Sequence, residues 1–111
     1  MIAEDHMEEL RAVCSAAKQA SEGGIDFVLL PNLKLPDGCV PAQADALLCL
    51  GPRDGYENRL FFSQQINSRT GRNWNSQNIR ILERNWFSYS WRAPTGLRPI
   101  ETLIAHLQAL R

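Results

Sequence analysis

The residues best suited to nucleophilic or metal chemistry are three cysteines and two histidines: Cys14, Cys39, Cys49, His6 and His106. The histidines lie near opposite ends of the chain, and no cysteine pair has the close spacing of a zinc site. The sequence therefore predicts neither a metal site nor a cofactor. Cys39 lies in a turn and is the one candidate for a reactive thiol. Cys14 and Cys49 fall in apolar segments, where a cysteine is typically an inert core residue.

A second group of residues could bind a partner: Arg69, Arg72, Trp74 and Arg80. Three of them lie in the polar stretch 67–78, which reads as a long loop, and long loops in compact domains are often functional. Tryptophan and arginine dominate binding hot spots, so Trp74 is the expected anchor and Arg69 and Arg72 its rim. The alternative is that Trp74 covers the edge of a sheet.

An aromatic cluster in the second half of the chain raises the possibility of nucleic-acid binding. Seven of the nine aromatic residues lie between Phe61 and Trp91, among arginines and asparagines. Single-strand binders combine stacking rings with positive charge. We favour the alternative that Trp86, Phe87 and Trp91 fill a small core, because a chain of this size has few other large residues to build one.

Charge is divided between the two halves of a chain whose total charge is zero. Residues 1–57 have four basic and ten acidic residues, whereas residues 58–111 have eight arginines and two acidic residues, so the net charges are −6 and +6. We expect the halves to pack together and neutralise each other. The alternative is that the arginine-rich half faces an acidic partner.

Apolar periodicity predicts a helix at each end of the chain. The first has apolar residues at three- and four-residue spacings from Met7 to Ala17, and Gly23 and Gly24 are expected to end it. The last has Pro99 in its first turn. Its apolar stripe consists of Ile100, Leu103, Ile104, Leu107 and Leu110.

Short apolar runs between turn residues predict strands over Ile25–Leu35, Ala44–Leu50 and Arg59–Ile66. Alternation over Asn85–Trp91 is consistent with a fourth strand. The predicted fold class is α+β: an antiparallel β-meander of three to four strands, flanked by the N-terminal and C-terminal helices. Residues 1–111 are expected to form a single domain.

Composition limits the class of protein further. Of the 111 residues, 44% are hydrophobic, yet no apolar run approaches the ~20 residues that a transmembrane helix needs. The acidic start of the sequence lacks the pattern of a signal peptide. Three cysteines at unrelated spacings indicate reduced thiols. We therefore expect a cytoplasmic protein without membrane association.

Several short motifs follow one another over about three quarters of the chain. They are the turn Leu35–Pro41, the strand Asp45–Leu50, Pro52 with Gly55 and Tyr56, the strand Leu60–Phe62, Asn73 with Trp74, and Trp86–Trp91 before the last helix. Each motif is weak alone, but their order resembles that of the bacterial ubiquitin-conjugating-enzyme-like proteins grouped as prokaryotic family E. The resemblance implies a ubiquitin-conjugating (UBC-like) fold.

The resemblance also implies a pathway in which a conjugating enzyme holds a ubiquitin-like modifier as a thioester. That thioester cysteine is expected in the irregular stretch after the meander, but residues 66–86 contain no cysteine. We therefore expect a non-catalytic domain that binds a protein partner, either a ubiquitin-like modifier or its activating enzyme. The alternatives are an active conjugating enzyme that uses Cys39 and a nucleic-acid-binding domain.

Overall fold

An antiparallel sheet of six strands and two helices form residues 2–111, the part of the chain that the computed structural model describes. The fold is therefore α+β, and its sheet has two strands more than the longest meander predicted. The elements are α1 (Glu4–Val13), β1 (Lys18–Glu22), β2 (Ile25–Lys34), β3 (Gln43–Cys49), β4 (Arg59–Phe62), β5 (Ser76–Ile81), β6 (Arg84–Ser88) and α2 (Pro99–Leu110).

The sheet has the strand order β1-β2-β3-β4-β6-β5, and all its pairings are antiparallel. Both helices pack on one face, and the sheet curls so that β5 and β6 cover part of the other. The indole Nε1–H of Trp86 on β6 donates to the carbonyl of Ile81 at 3.0 Å. The backbone N–H of Leu82 donates to Glu22 of β1 at 3.2 Å, so the β5–β6 turn contacts the first strand.

The curled sheet encloses two cores, one on each face. Successive residues of a strand point to opposite faces, so Leu47 and Leu48 of β3 belong to different cores, as do Phe61 and Phe62 of β4. Strands buried on both faces have continuous apolar runs instead of polar alternation. The main core lies under the helices, and the second core consists of Phe27, Leu47, Cys49, Phe61, Ile81 and Trp86.

The predicted end of the N-terminal helix was wrong. The helix ends at Val13, and Gly23 and Gly24 instead form the turn between β1 and β2. Both glycines have positive φ, 59° and 77°, as the tight turns of hairpins require. Strand β1 is almost wholly exposed, so no apolar alternation marked it in the sequence.

The predicted bounds of the third strand and of the long polar loop were also wrong. The strand ends at Phe62 and not at Ile66, and residues 76–78 of the predicted loop belong to β5. At the start of that stretch, Asn67 forms a backbone bridge with Val40. The C-terminal helix is confirmed, with Pro99 as its first residue.

Ion pairs connect the acidic and basic halves of the sequence. Arg84 of β6 lies 3.1 Å from Asp45 of β3, and Arg98 lies 3.3 Å from Glu9 of α1. These contacts agree with the expectation that the halves pack together. Within residues 2–111, neither helix combines the length and apolar character needed to cross a bilayer.

Candidate functional site

Cys39, the one candidate for a reactive thiol, is buried in the main core and is only 6% exposed. The turn itself is exposed at Asp37, Gly38 and Val40, but the side chain of Cys39 packs into the main core, which opposes its candidacy as a reactive thiol. Burial raises the pKa of the Cys39 thiol, against a smaller opposing effect of Arg69. A thiol in this setting resists forming the thiolate that nucleophilic catalysis needs.

The other two cysteines are also buried, as predicted. The Cys14 thiol donates to the carbonyl of Pro31 at 3.4 Å, and the Cys49 thiol donates to that of Gly51 at 3.3 Å. Burial raises the pKa of both thiols. Among residues 2–111, no group of three or more histidine, cysteine, aspartate or glutamate side chains is placed to hold a metal ion.

The four predicted partner-binding residues are divided between three places. Arg69 is exposed and lies over Gly38, and Arg72 donates from Nε to the carbonyl of Ala109 at 2.6 Å, near the end of α2. Arg80 is exposed on β5 and donates to Asn85 at 3.4 Å. The structure thus places Arg69 beside the turn at Gly38, Arg72 beside the end of α2, and Arg80 on the β5–β6 hairpin.

Trp74 is half-buried and packs on the main core. Its ring centroid lies 5.3 Å from that of Tyr89 and 5.9 Å from that of Phe62, both in edge-to-face arrangements. These contacts agree with the alternative in which Trp74 covers the sheet. Its role as a binding anchor stays a prediction.

The aromatic side chains are all buried or half-buried, so none is displayed as a free stacking platform. Trp86 is fully buried, whereas Phe87 and Trp91 are half-buried. This placement favours the core-filling interpretation of the aromatic cluster. Nucleic-acid binding stays a prediction that a salt-dependent binding measurement would test.

A buried guanidinium forms a polar cluster that sequence reasoning did not identify. Arg59 is 1% exposed and donates to Asn75, to the Ser76 hydroxyl at 2.8 Å and to the Tyr89 carbonyl at 3.3 Å. Its Cζ lies 4.1 Å from the ring centroid of Tyr56, and its Nε has no hydrogen-bond partner among the described residues. The cluster fastens the start of β5 to β4 and β6.

Tyr56 is held between two guanidinium groups. Arg92 approaches its ring to 4.8 Å, while Asn75 donates to its hydroxyl at 3.0 Å. The hydrogen bond with Ser90, the Asn75 bond and the charges of Arg59 and Arg92 lower the pKa of the phenol. The cluster therefore connects the residues after β3 to those after β6.

His106 of α2 is buried and only 2% exposed. Its Nε2 lies 2.6 Å from Oδ1 of Asn58, and its ring meets that of Trp91 edge-on at 5.2 Å. Its carbonyl accepts a hydrogen bond from the Tyr89 hydroxyl at 2.6 Å. Burial, with a further contribution from the charge of Arg59, lowers the pKa of His106 to about 4.

The low pKa of His106 predicts that acid destabilises the fold before the carboxylates titrate. Between pH 6.5, the ordinary pKa of histidine, and about 4, the unfolded chain binds a proton that the folded chain does not. The free energy of unfolding should therefore fall by about 2 kcal/mol from pH 7 to pH 5. Urea unfolding across this range measures the fall, and His106→Gln should flatten it. If the free energy of unfolding of His106→Gln falls as steeply with pH as that of wild type, other titratable groups cause the fall.

An open groove of about 500 Å³ lies between the end of α1, the residues around the end of β2, and α2. Two of its apolar side chains face solvent, because Val13 is 54% exposed and Ile104 is 44% exposed. We call this surface the α2 groove. Its apolar lining consists of Val13, Leu33, Leu35, Leu103, Ile104 and Leu107.

Val13 and Ile104 both lie on the apolar faces that periodicity predicts for α1 and α2. Periodicity identifies an apolar face without showing how much of that face another element covers. One signal in the sequence could have indicated the exposure of Ile104. The apolar stripe of α2 is wide, because Leu103 and Ile104 are adjacent in it. Leu103 is fully buried, and Ile104 is left at the surface.

Neither a protein-family model, nor a curated protein sequence, nor a solved structure matches this chain.

Proposed function

We propose that this chain is a non-catalytic, UBC-like domain that binds a protein partner, either a ubiquitin-like modifier or its activating enzyme. The observation that carries the proposal is the burial of all three thiols at Cys14, Cys39 and Cys49. Thioester exchange requires a thiolate that a bulky acyl donor can reach, and burial opposes both requirements.

The stretch that should hold a thioester cysteine supports the same proposal. Residues 76–88 form the β5–β6 hairpin, and its side chains Ile81 and Trp86 belong to the second core. A segment that completes a core is constrained by packing, so the part of the stretch from residue 76 onwards is not free to form a catalytic loop. The helix–sheet–helix order supports the UBC-like assignment, and the added hairpin is a departure from a simple meander.

An exposed apolar surface supports a role in protein binding. Val13 and Ile104 are large apolar residues that the fold leaves open to solvent within one groove. Contiguous apolar surface on a small protein marks interaction sites more often than isolated exposed residues do. Neither thiol chemistry nor metal chemistry is needed for this role.

Binding can be measured by isothermal titration calorimetry of the chain against a ubiquitin-like modifier and against an activating enzyme, both from the source organism. We expect a saturable one-to-one complex with one of them, unchanged when Cys39→Ser removes the candidate thiol. The absence of a complex with either protein would contradict the proposal. A complex that requires the Cys39 thiol would favour the conjugating-enzyme alternative.

A further inference from the structure

The α2 groove presents apolar anchors at the surface in a geometry suited to receiving side chains. On α2, Ile104 is exposed and Leu107 is half-buried, and the fully buried Leu103 also lines the groove. Val13 faces the groove from the end of α1. The groove volume of about 500 Å³ is within the range of ~300–1,000 Å³ typical of ligand pockets.

The charges around the groove are mainly positive. Lys34 and Arg111 line it together with one acidic residue, Asp37. Within residues 2–111, none of these three side chains forms an ion pair. The two cations are therefore free to meet opposite charge on a ligand.

Two further arginines extend this positive surface beyond the lining residues. Arg69 lies over Gly38, which directly follows groove residue Asp37. Arg72 contacts the carbonyl of Ala109, next to groove residue Gln108. Within the described part of the chain, neither arginine is paired with a carboxylate. An acidic ligand would thus meet positive charge at the groove and beside it.

The edge of β2 beside the groove is poorly suited to pair with a β-strand of a ligand. Past Leu29, β2 is no longer paired with β1, so one edge is free of strand pairing there. However, Pro31 has no N–H to donate, and Asn32 has a φ of 50° that interrupts the extended backbone at a β-bulge. A helix needs no backbone partners and inserts only side chains into a groove.

We propose that the α2 groove binds an acidic amphipathic helix of a partner protein. Aliphatic side chains of that helix pack on Ile104 and Leu107, and its acidic residues face Lys34 and Arg111. This inference rests on the proposed function, because it names the partner chemistry that the binding domain recognises.

The test uses two labelled helical peptides in fluorescence anisotropy with the full chain. Both carry leucines at positions i, i+3, i+4 and i+7, one with glutamates between them and the other with lysines. We expect the acidic peptide to bind roughly tenfold or more tightly than the basic one, with the difference reduced at high salt. Lys34→Glu combined with Arg111→Glu should reverse this preference.

A matched pair of variants tests the location of binding. Ile104→Ser removes an exposed aliphatic side chain inside the groove and should weaken acidic-peptide binding by roughly tenfold or more. Val40→Ser removes an aliphatic side chain that is 64% exposed but does not line the groove, and should leave binding unchanged. Circular dichroism of both variants checks that they remain folded.

Three results would overturn the inference: no peptide binding, equal affinity for the two peptides, or equal effects of Ile104→Ser and Val40→Ser. A concentration-dependent dimer that Ile104→Ser abolishes would also overturn it, in favour of a second copy of the chain as the occupant. If calorimetry still detects a complex with the modifier or activating enzyme, only the groove assignment fails. If that complex is absent while the acidic peptide binds the groove, only the proposed function fails.

Discussion

Trp86→Ala is expected to lower the free energy of unfolding by about 3–5 kcal/mol. Trp86 is fully buried and is the largest side chain of the second core. Its removal leaves a cavity against Phe27, Leu47 and Phe61, which rigid strands cannot close. It also deprives the Ile81 carbonyl of the indole N–H that holds the β5–β6 hairpin. Urea unfolding followed by circular dichroism measures the loss.

Two companion variants separate the contributions of Trp86. Trp86→Phe keeps an aromatic ring and loses the hydrogen bond to Ile81, so its cost should be smaller than that of the alanine variant. Arg84→Ala removes an exposed guanidinium stacked 4.6 Å from the Trp86 ring and should cost about 1 kcal/mol or less. A loss below about 1 kcal/mol for Trp86→Ala would show that the second core is not a stabilising element.

Arg59→Ala is expected to cost about 2–5 kcal/mol, for a different reason. The variant leaves a cavity and removes the donor for the Ser76 hydroxyl, the Asn75 amide oxygen and the Tyr89 carbonyl. The Tyr89 carbonyl is buried, so the loss of its donor leaves an unsatisfied acceptor, which is destabilising. Because these bonds fasten the start of β5, hydrogen exchange should show faster opening of the β5–β6 hairpin.

Arg59→Met distinguishes volume from charge at the same position. Methionine fills much of the space and removes a guanidinium that has no carboxylate partner among the described residues. Its cost should therefore be clearly smaller than that of alanine. Near-equal unfolding free energies for wild type and Arg59→Ala would contradict the structural role of the cluster.

Elements with apolar periodicity could be predicted from the sequence, and polar edge elements could not. Helix α2 begins at Pro99 and carries a regular apolar stripe, so its extent was predictable. Strand β1 is almost wholly exposed at the sheet edge, and β5 begins in a run of polar residues. Their hydrogen bonds come from partner strands, which a single stretch of sequence does not reveal.

The candidate site was less predictable than the fold, because its features depend on contacts between distant residues. The turn before Cys39 has the composition of an exposed loop and is exposed at Asp37 and Gly38, yet the side chain of Cys39 itself lies in the core. The α2 groove forms where three elements meet but do not close over Ile104. Residue types alone indicate neither the burial of Cys39 nor the exposure of Ile104.

Binding without thioester chemistry is the central claim, and a thioester-trapping assay tests it most directly. The chain is incubated with an activating enzyme, a ubiquitin-like modifier and ATP, and the products are separated without reductant. A thioester on the activating enzyme itself shows that the reaction is working. We predict no reductant-sensitive adduct on this chain, with wild type and Cys39→Ser indistinguishable. A reductant-sensitive adduct that Cys39→Ser abolishes would contradict the account and identify an active conjugating enzyme.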